Sequence, residues 1–240
     1  MPFEIAHTKE LLTSLTYPGR GVILGKSEDG ASLAAVYFIM GRSENSRNRV
    51  FEAYGEDVTI YPADKSKVED PRLIIYTPIR RVQDSLIVTN GDQTDTIRDY
   101  LEDGHSFEDA LRARRFEPDA PNFTPRISGL LALDGTERYR LSILKAMDSE
   151  GMQCARFFYE YEAQNGLGHF IHTYERNENP LPSFAGEPRR VHIPDTAEEF
   201  ADEIWTSLNA ENKISMAVCY YDAAGKRTGF VMKNRFQKAD

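Results

Sequence analysis

The chain has 240 residues, 40% of them hydrophobic and 28% charged, with a formal net charge of −9. That size and balance suit a folded domain with a sizeable core, and the negative charge disfavours broad binding to nucleic acid or anionic membranes. The apolar runs are too short to span a bilayer, and the N-terminus carries Glu4 and Glu10 with no long apolar stretch, so neither a signal peptide nor a membrane span is expected and the cytoplasm is the expected setting.

Two cysteines, Cys154 and Cys219, lie far apart without CxxC spacing, so reduced thiols are expected rather than a zinc site or a disulfide framework. An acidic chain that binds an anionic small molecule must concentrate its cations locally.

In chain order, a short helix is expected over 8–15. Strands follow at 21–25 and 33–40, joined by the turn-rich Ser27-Glu28-Asp29-Gly30. Further strands are expected at 58–61, 73–76 and 86–89. Ser106 opens a capping-box-like helix start with Asp109 as the acidic partner, and Pro118 stops that helix after about residue 115. Strands are then predicted at 127–133, 139–145, 153–162 and 168–174. A second helix opens at Asp195 or Thr196, with Phe200, Ile204 and Leu208 on one face. A hairpin around Asp222–Gly225 closes the chain, its strands at 214–221 and 229–233. Strands dominate and the helices fall in two blocks, which predicts an α+β fold with largely antiparallel sheets in a single domain, 1–240. Two sheets stacked between helix layers fit this order.

No phosphate loop, HExxH or GxSxG motif is present. His169 and His172 are three apart on a predicted strand and so point to opposite faces, which disfavours a shared metal. Polar segments remain as candidates. Gly41–Arg49 follows an apolar strand and holds three arginines, whose planar forks suit phosphate or carboxylate; it is equally the pattern of a polar loop at a strand end. Tyr76 and Arg80 flank Pro78. Asn90-Gly91-Asp92 is a strong turn signal. Phe116–Arg126 holds three prolines, a stiff loop that would fix Glu117, Asn122, Thr124 and Arg126 relative to the fold. Gly166–Tyr174 runs into the proline-rich 179–187. Alone, these segments define an arginine-rich polar site for an anion.

Taken in order, the segments resemble the archaeal-type IMP cyclohydrolase family: Gly19-Arg20-Gly21, Gly41-Arg42-Ser43 with downstream Arg47, Tyr76 and Arg80, Asn90-Gly91 with Asp95, and Thr124-Pro125-Arg126-Ile127. The likeness covers about the first two-thirds of the chain, and the stretch from Gly168 fits the longer members. The resemblance implies an Ntn-hydrolase-like fold, a four-layer αββα sandwich, without the N-terminal nucleophile of true Ntn hydrolases. It also implies closure of a formamido-imidazole-carboxamide ribotide to inosine monophosphate and water in purine biosynthesis. No cofactor and no metal are implied, since nucleophile and electrophile share one molecule.

Under the resemblance, Tyr76, Glu117 and Arg42 become the catalytic candidates. Tyr76 donates a proton to the formyl oxygen, Glu117 accepts the carboxamide proton, and Arg42 polarises the formamide or holds the phosphate. Arg47, Arg80 and Arg126 become anion contacts, while Asn90, Asp92 and Thr124 orient the base or ribose. The arginines are expected to make the Tyr76 phenol ionise more readily than a free one. The expected partner is the small-molecule ribotide, not nucleic acid or membrane, with self-association through strand edges open. Rival readings are a non-catalytic ribotide-binding relative, an Ntn-type amidohydrolase, for which Met1-Pro2 offers no nucleophile, and an RNA-binding protein, which the charge disfavours.

Overall fold

The computed structural model describes residues 4–67 and 75–236. Its elements are α1 (Thr8–Ser14), β1 (Arg20–Lys26), β2 (Leu33–Met40), α2 (Glu44–Arg47), β3 (Val50–Tyr54), β4 (Asp57–Tyr61), β5 (Ile79–Val82), β6 (Ser85–Thr89), α3 (Gln93–Glu102), α4 (Phe107–Arg112), β7 (Arg126–Ala132), β8 (Arg138–Ala146), β9 (Cys154–Glu162), β10 (Leu167–His172), β11 (Arg189–His192), α5 (Ala197–Ser207), β12 (Lys213–Tyr221) and β13 (Arg227–Asn234).

Strands from both ends of the chain form one sheet, ordered β11-β10-β1-β2-β12-β13. The middle of the chain forms a second, a meander from β3 to β9. Every named strand pair is antiparallel. The period-two alternation of side chains decides how the sheets stack. On β2, Leu33, Ala35, Tyr37 and Ile39 face a core shared with Val58, Ile60, Leu86, Val88 and Leu141 of the meander. The intervening Ala34, Val36, Phe38 and Met40 face Leu12 of α1 and Phe200, Ala201 and Ile204 of α5. On the far side of the meander, Ile87 and Leu144 pack against Ile97 of α3 and Phe107 and Leu111 of α4. The order is helix, sheet, sheet, helix, the α+β sandwich expected. β2 is buried on both faces, which is why its sequence is one apolar run rather than an alternation.

The helix starts fall where the sequence puts them. The Ser106 hydroxyl accepts from the Asp109 amide, and the Thr196 hydroxyl accepts from the Glu199 amide. Elsewhere the structure differs. α3 directly follows the Asn90-Gly91 turn, where only a turn was expected; its first turn is polar, and Gln93 and Thr94 are buried through hydrogen bonds rather than apolar contact. β3 and β11 were not anticipated, and α2 lies inside the segment read as a polar loop. Of the strand expected at 73–76, Leu73 and Ile74 lie outside the described residues, and Ile75 and Tyr76 are not in a strand; β5 begins after Pro78. No described helix is long and apolar enough to cross a membrane.

Candidate active site

Two adjoining chambers open where the ends of the two sheets meet the 116–126 loop. The inner one, about 280 Å³, is lined by Arg20, Arg49, Tyr76, Asn90, Asp92 and Glu117, with Asp119 and Arg126. The outer one, about 700 Å³, shares Arg20, Arg49, Glu117 and Asp119 and adds Tyr17, Arg42, Thr124 and Tyr174. The four shared residues make the two chambers one cleft.

The inner wall is built around Arg126, the first residue of β7. Its Nη1 donates to Gln93 Oε1 at 2.7 Å and lies 2.7 Å from Asp92 Oδ1. Asp92 is also held by Arg114 at 2.6 Å. Burial pushes the Asp92 carboxyl up, but the two arginines outweigh it and hold the group below its ordinary value, so Asp92 is a fixed counter-ion. Arg126 Nε is buried without a hydrogen-bond partner among the described residues. Gly91 makes this crowding possible: a Cβ there would sit 2.5 Å from Arg126 Nη1, 2.7 Å from Gln93 Oε1 and 3.4 Å from Glu117 Oε1.

Asn90 and Thr124 line the cleft, yet their side chains are committed to holding it. Asn90 Nδ2 donates to Pro125 O at 2.8 Å, and its Oδ1 accepts from the Ile127 amide and from Gln93 Nε2. Thr124 Oγ1 donates to Asp119 Oδ2, and its amide donates to Asp119 Oδ1. The same hydroxyl meets the Tyr174 hydroxyl. The Glu117 amide donates to Thr124 O at 2.9 Å, closing the loop on itself and fixing the backbone that carries Glu117.

Tyr76 OH lies 2.8 Å from Tyr37 OH, and Tyr37 is fully buried at the middle of β2. Burial raises the Tyr76 pKa, and Arg49 and Arg20 only partly oppose it. The expectation of an easily ionised phenol is therefore corrected: desolvation outweighs the arginines, and the Tyr76 phenol holds its proton more tightly than a free one. Burial likewise raises the Glu117 pKa against the pull of Arg20 and Arg126. Arg49 is driven below its ordinary pKa by burial and by Arg20. Burial opposes the charge on Arg20 too, but Tyr174, Tyr17, Glu117 and Tyr76 together hold its pKa above the ordinary value.

Of the residues singled out in the sequence, Tyr76, Asn90, Asp92, Glu117 and Arg126 meet at the inner chamber, and Arg42 and Thr124 line the outer one. Arg42 Nη1 donates to Asn177 Oδ1 at 2.6 Å and Glu178 O at 3.0 Å, with its guanidinium carbon 5.1 Å from the Tyr17 ring centre. Two arginines are not brought into the cleft. Arg47 donates to Gly41 O and Asn212 Oδ1, beside a separate depression that includes Glu44 and Asp64. Arg80 is engaged by Asp95, Asp57 and Thr77. The sequence reading missed Arg20, Arg49, Asp119 and Tyr174 as site residues. Arg20 and Arg49 stood inside segments already singled out; their signal was an arginine at the entrance to an apolar strand.

His169 and His172 sit on opposite faces of β10, as expected. His169 Nδ1 meets the Tyr139 hydroxyl at 2.8 Å, and His172 packs against Phe170 and Phe184. Among the described residues, no group of three or more His, Cys, Asp or Glu is arranged to hold a metal ion.

Residues 17–226 match the family described as IMP cyclohydrolase-like protein, so the likeness extends well beyond Gly168. An IMP cyclohydrolase of Methanopyrus kandleri is 36% identical over 148 residues, 56% of this chain and 72% of that protein. One from Methanocaldococcus jannaschii is 29% identical over 217 residues, 87% of this chain and 96% of its own length. One from Methanococcus maripaludis strain C7 is 34% identical over 189 residues, 69% and 92% respectively. With a match over that span, closing on the cleft just described, this chain belongs to the IMP cyclohydrolase-like family.

Proposed function

We propose that this protein is an IMP cyclohydrolase, closing 5-formamidoimidazole-4-carboxamide ribotide to inosine monophosphate with release of water. The observation that carries the reading is the convergence of Arg20, Arg49 and Arg126 on one cavity with the phenol of Tyr76 and the carboxylate of Glu117. In an acidic chain, three clustered guanidinium groups are a local exception that suits an anionic, polar ligand. The family and its named relatives point the same way.

In this reaction the carboxamide nitrogen attacks the formyl carbon on the same imidazole. A nitrogen–carbon bond forms as the formyl oxygen takes a proton and the carboxamide nitrogen gives one up; the formamide nitrogen then loses its own proton, a carbon–nitrogen double bond forms, and the oxygen leaves with the two hydrogens as water. Both reacting groups start on one ring, so the enzyme's tasks are to freeze the near-attack rotamer, stabilise the developing oxyanion and move protons. Tyr76 supplies the proton to the formyl oxygen. Its raised pKa keeps it protonated, and Tyr37 fixes its hydroxyl. Glu117 takes the carboxamide proton, its raised pKa making it a stronger base than a solvated carboxylate. Arg126, anchored by Asp92 and Gln93, and Arg20 polarise the formyl oxygen. The ribose and phosphate extend into the outer chamber toward Arg42. No cofactor and no metal enter this scheme. The same reading takes residues 1–240 as one catalytic domain working in the cytoplasm on a small molecule.

The test is the absorbance change on adding the formamido ribotide to purified protein, with and without a chelator. Turnover unaffected by the chelator supports the reading. Tight ribotide binding with ring closure no faster than in buffer would instead make the chain a binding protein.

A further inference from the structure

A sheet edge is a row of unpaired backbone donors and acceptors, and folded proteins generally cover or disrupt it. Among the described residues, three of the four edges make hydrogen bonds to other parts of the chain. The N-terminal segment lies along β11 through the parallel bridge of Ala6 with Val191, with hydrogen bonds from the Ala6 amide to Arg190 O and from the His192 amide to Ala6 O. β3 and β13 close on each other through Asn234, whose side chain accepts from the Phe51 amide and donates to Phe51 O.

The fourth edge is β9, which among the described residues pairs with β8 alone. It runs nine residues in unbroken register, long for an edge strand, and has no proline, lysine or bulge to protect it. Its composition is aromatic: Phe158 packs toward α3 and α4, and Tyr159 and Tyr161 toward the core between the sheets. Phe157 is 42% exposed.

The charges on this edge are of both signs and placed about its centre. Arg156 donates to the carbonyls of Cys154 and Arg114 and has no carboxylate partner among the described residues. Glu160, two residues beyond Phe158, is exposed, and its one ion-pair partner among the described residues is Arg140, at 3.3 Å. We infer that β9 pairs antiparallel with β9 of a second copy of this chain, about a two-fold axis at Phe158, joining the two meanders into one continuous sheet.

That axis, perpendicular to the sheet, keeps each face with its like. Arg156 then opposes the partner subunit's Glu160 twice, and Phe157 opposes the partner subunit's Tyr159 twice, pairings that favour antiparallel strands. Centring on Phe157 would set Arg156 against Phe158, and centring on Tyr159 would set Phe158 against Glu160. Centring on Tyr159 also sets Arg156 against Glu162, the third charge of the strand, but overlaps fewer residues; only the Phe158 centre overlaps all nine and gives both Arg156 and Glu160 an opposite charge. β9 lines neither chamber of the cleft, so the pairing is separable from turnover.

Sedimentation velocity on the full chain tests this. The wild type is expected at twice the 27.3 kDa chain mass. Glu160→Arg sets like charges against each other and is expected to halve that mass while kcat is retained. Arg156→Glu does the same, and the double exchange Arg156→Glu with Glu160→Arg restores the dimer. Should Arg156→Glu fail to fold for want of its carbonyl contacts, Glu160→Arg on the exposed rim decides alone. A wild type at single-chain mass overturns the inference, whether or not it takes up an extended peptide on this edge. So does a dimer that survives Glu160→Arg, or a double exchange that folds and stays at single-chain mass.

Discussion

The Tyr76 hydroxyl rests 2.8 Å from the hydroxyl of Tyr37, a residue buried in the middle of a central strand. The phenol proposed as the general acid is thereby anchored to the buried core between the sheets as well as to the segment that carries it. Tyr76→Phe keeps the ring in place and removes the proton, so kcat is expected to fall about 10²–10⁴-fold, the usual contribution of a general acid. Tyr37→Phe keeps the proton and loosens its position, and its loss should be the smaller of the two. Full turnover in Tyr76→Phe, followed by absorbance, would remove this residue from the chemistry.

Glu117 makes two predictions from one shift. Acting as a base, it must be ionised, so kcat/KM should rise with pH along an acid limb lying above the ordinary carboxyl value of 4.5. Glu117→Gln should erase that limb along with most turnover. Burial also makes the folded state hold this proton more tightly than the unfolded state does. Stability is therefore lost as pH rises from the ordinary value through the raised one, and the loss is complete above both. Glu117→Gln should accordingly melt higher than wild type at pH 7, with a smaller difference below pH 4.5. Equal melting temperatures at pH 7 would contradict the desolvated carboxylate.

Arg20 and Arg47 separate cation from position. Arg20 lines both chambers, and its Nε is buried with no hydrogen-bond partner among the described residues. Arg47 is spent on Gly41 O and Asn212. A ligand that binds only the folded state stabilises it by about 2.7 kcal/mol at a hundredfold excess over Kd. Calorimetry with the ribotide product should show that gain collapse in Arg20→Ala and persist in Arg47→Ala. The Arg47 variant should lose about 1 kcal/mol of intrinsic stability from its hydrogen bonds, with KM little changed. A larger KM effect at Arg47 than at Arg20 would reverse the assignment.

The contrast between these arginines shows what the sequence makes legible. Strands with one clear apolar signature, such as β2, and helices with a cap and a regular stripe, such as α5 with Thr196, Phe200 and Ile204, can be read because local pattern and burial agree. α3 cannot, since its buried start consists of Gln93 and Thr94 and satisfies itself by hydrogen bonds to Asn90, Ile127 and Gly91. At the site, Tyr76, Asn90, Asp92, Glu117 and Arg126 stand beside prolines or turn residues that mark stiff loops. Arg47 and Arg49 lie two apart in one segment, and residue type does not distinguish them. The ending of α2 at Arg47 and the start of β3 at Val50 turn Arg49 inward, leaving it 7% exposed.

Gly91 offers a test of the assembled site that alters none of its functional groups. An added methyl would meet Arg126 Nη1 at 2.5 Å and Gln93 Oε1 at 2.7 Å, both far ends of flexible side chains. The fold can therefore give way by moving those two groups, and Gly91→Ala should fold with a loss of about 1–3 kcal/mol, the typical cost of overpacking. The motion must carry Arg126 off its place beside Asp92 and Gln93, and a misplacement of about 1 Å can cost about 10²-fold in rate. Turnover should therefore fall much more than stability, a ratio read by comparing kcat with the urea midpoint. A variant that loses stability but turns over at the wild-type rate would mean that the position of Arg126 does not matter to the reaction.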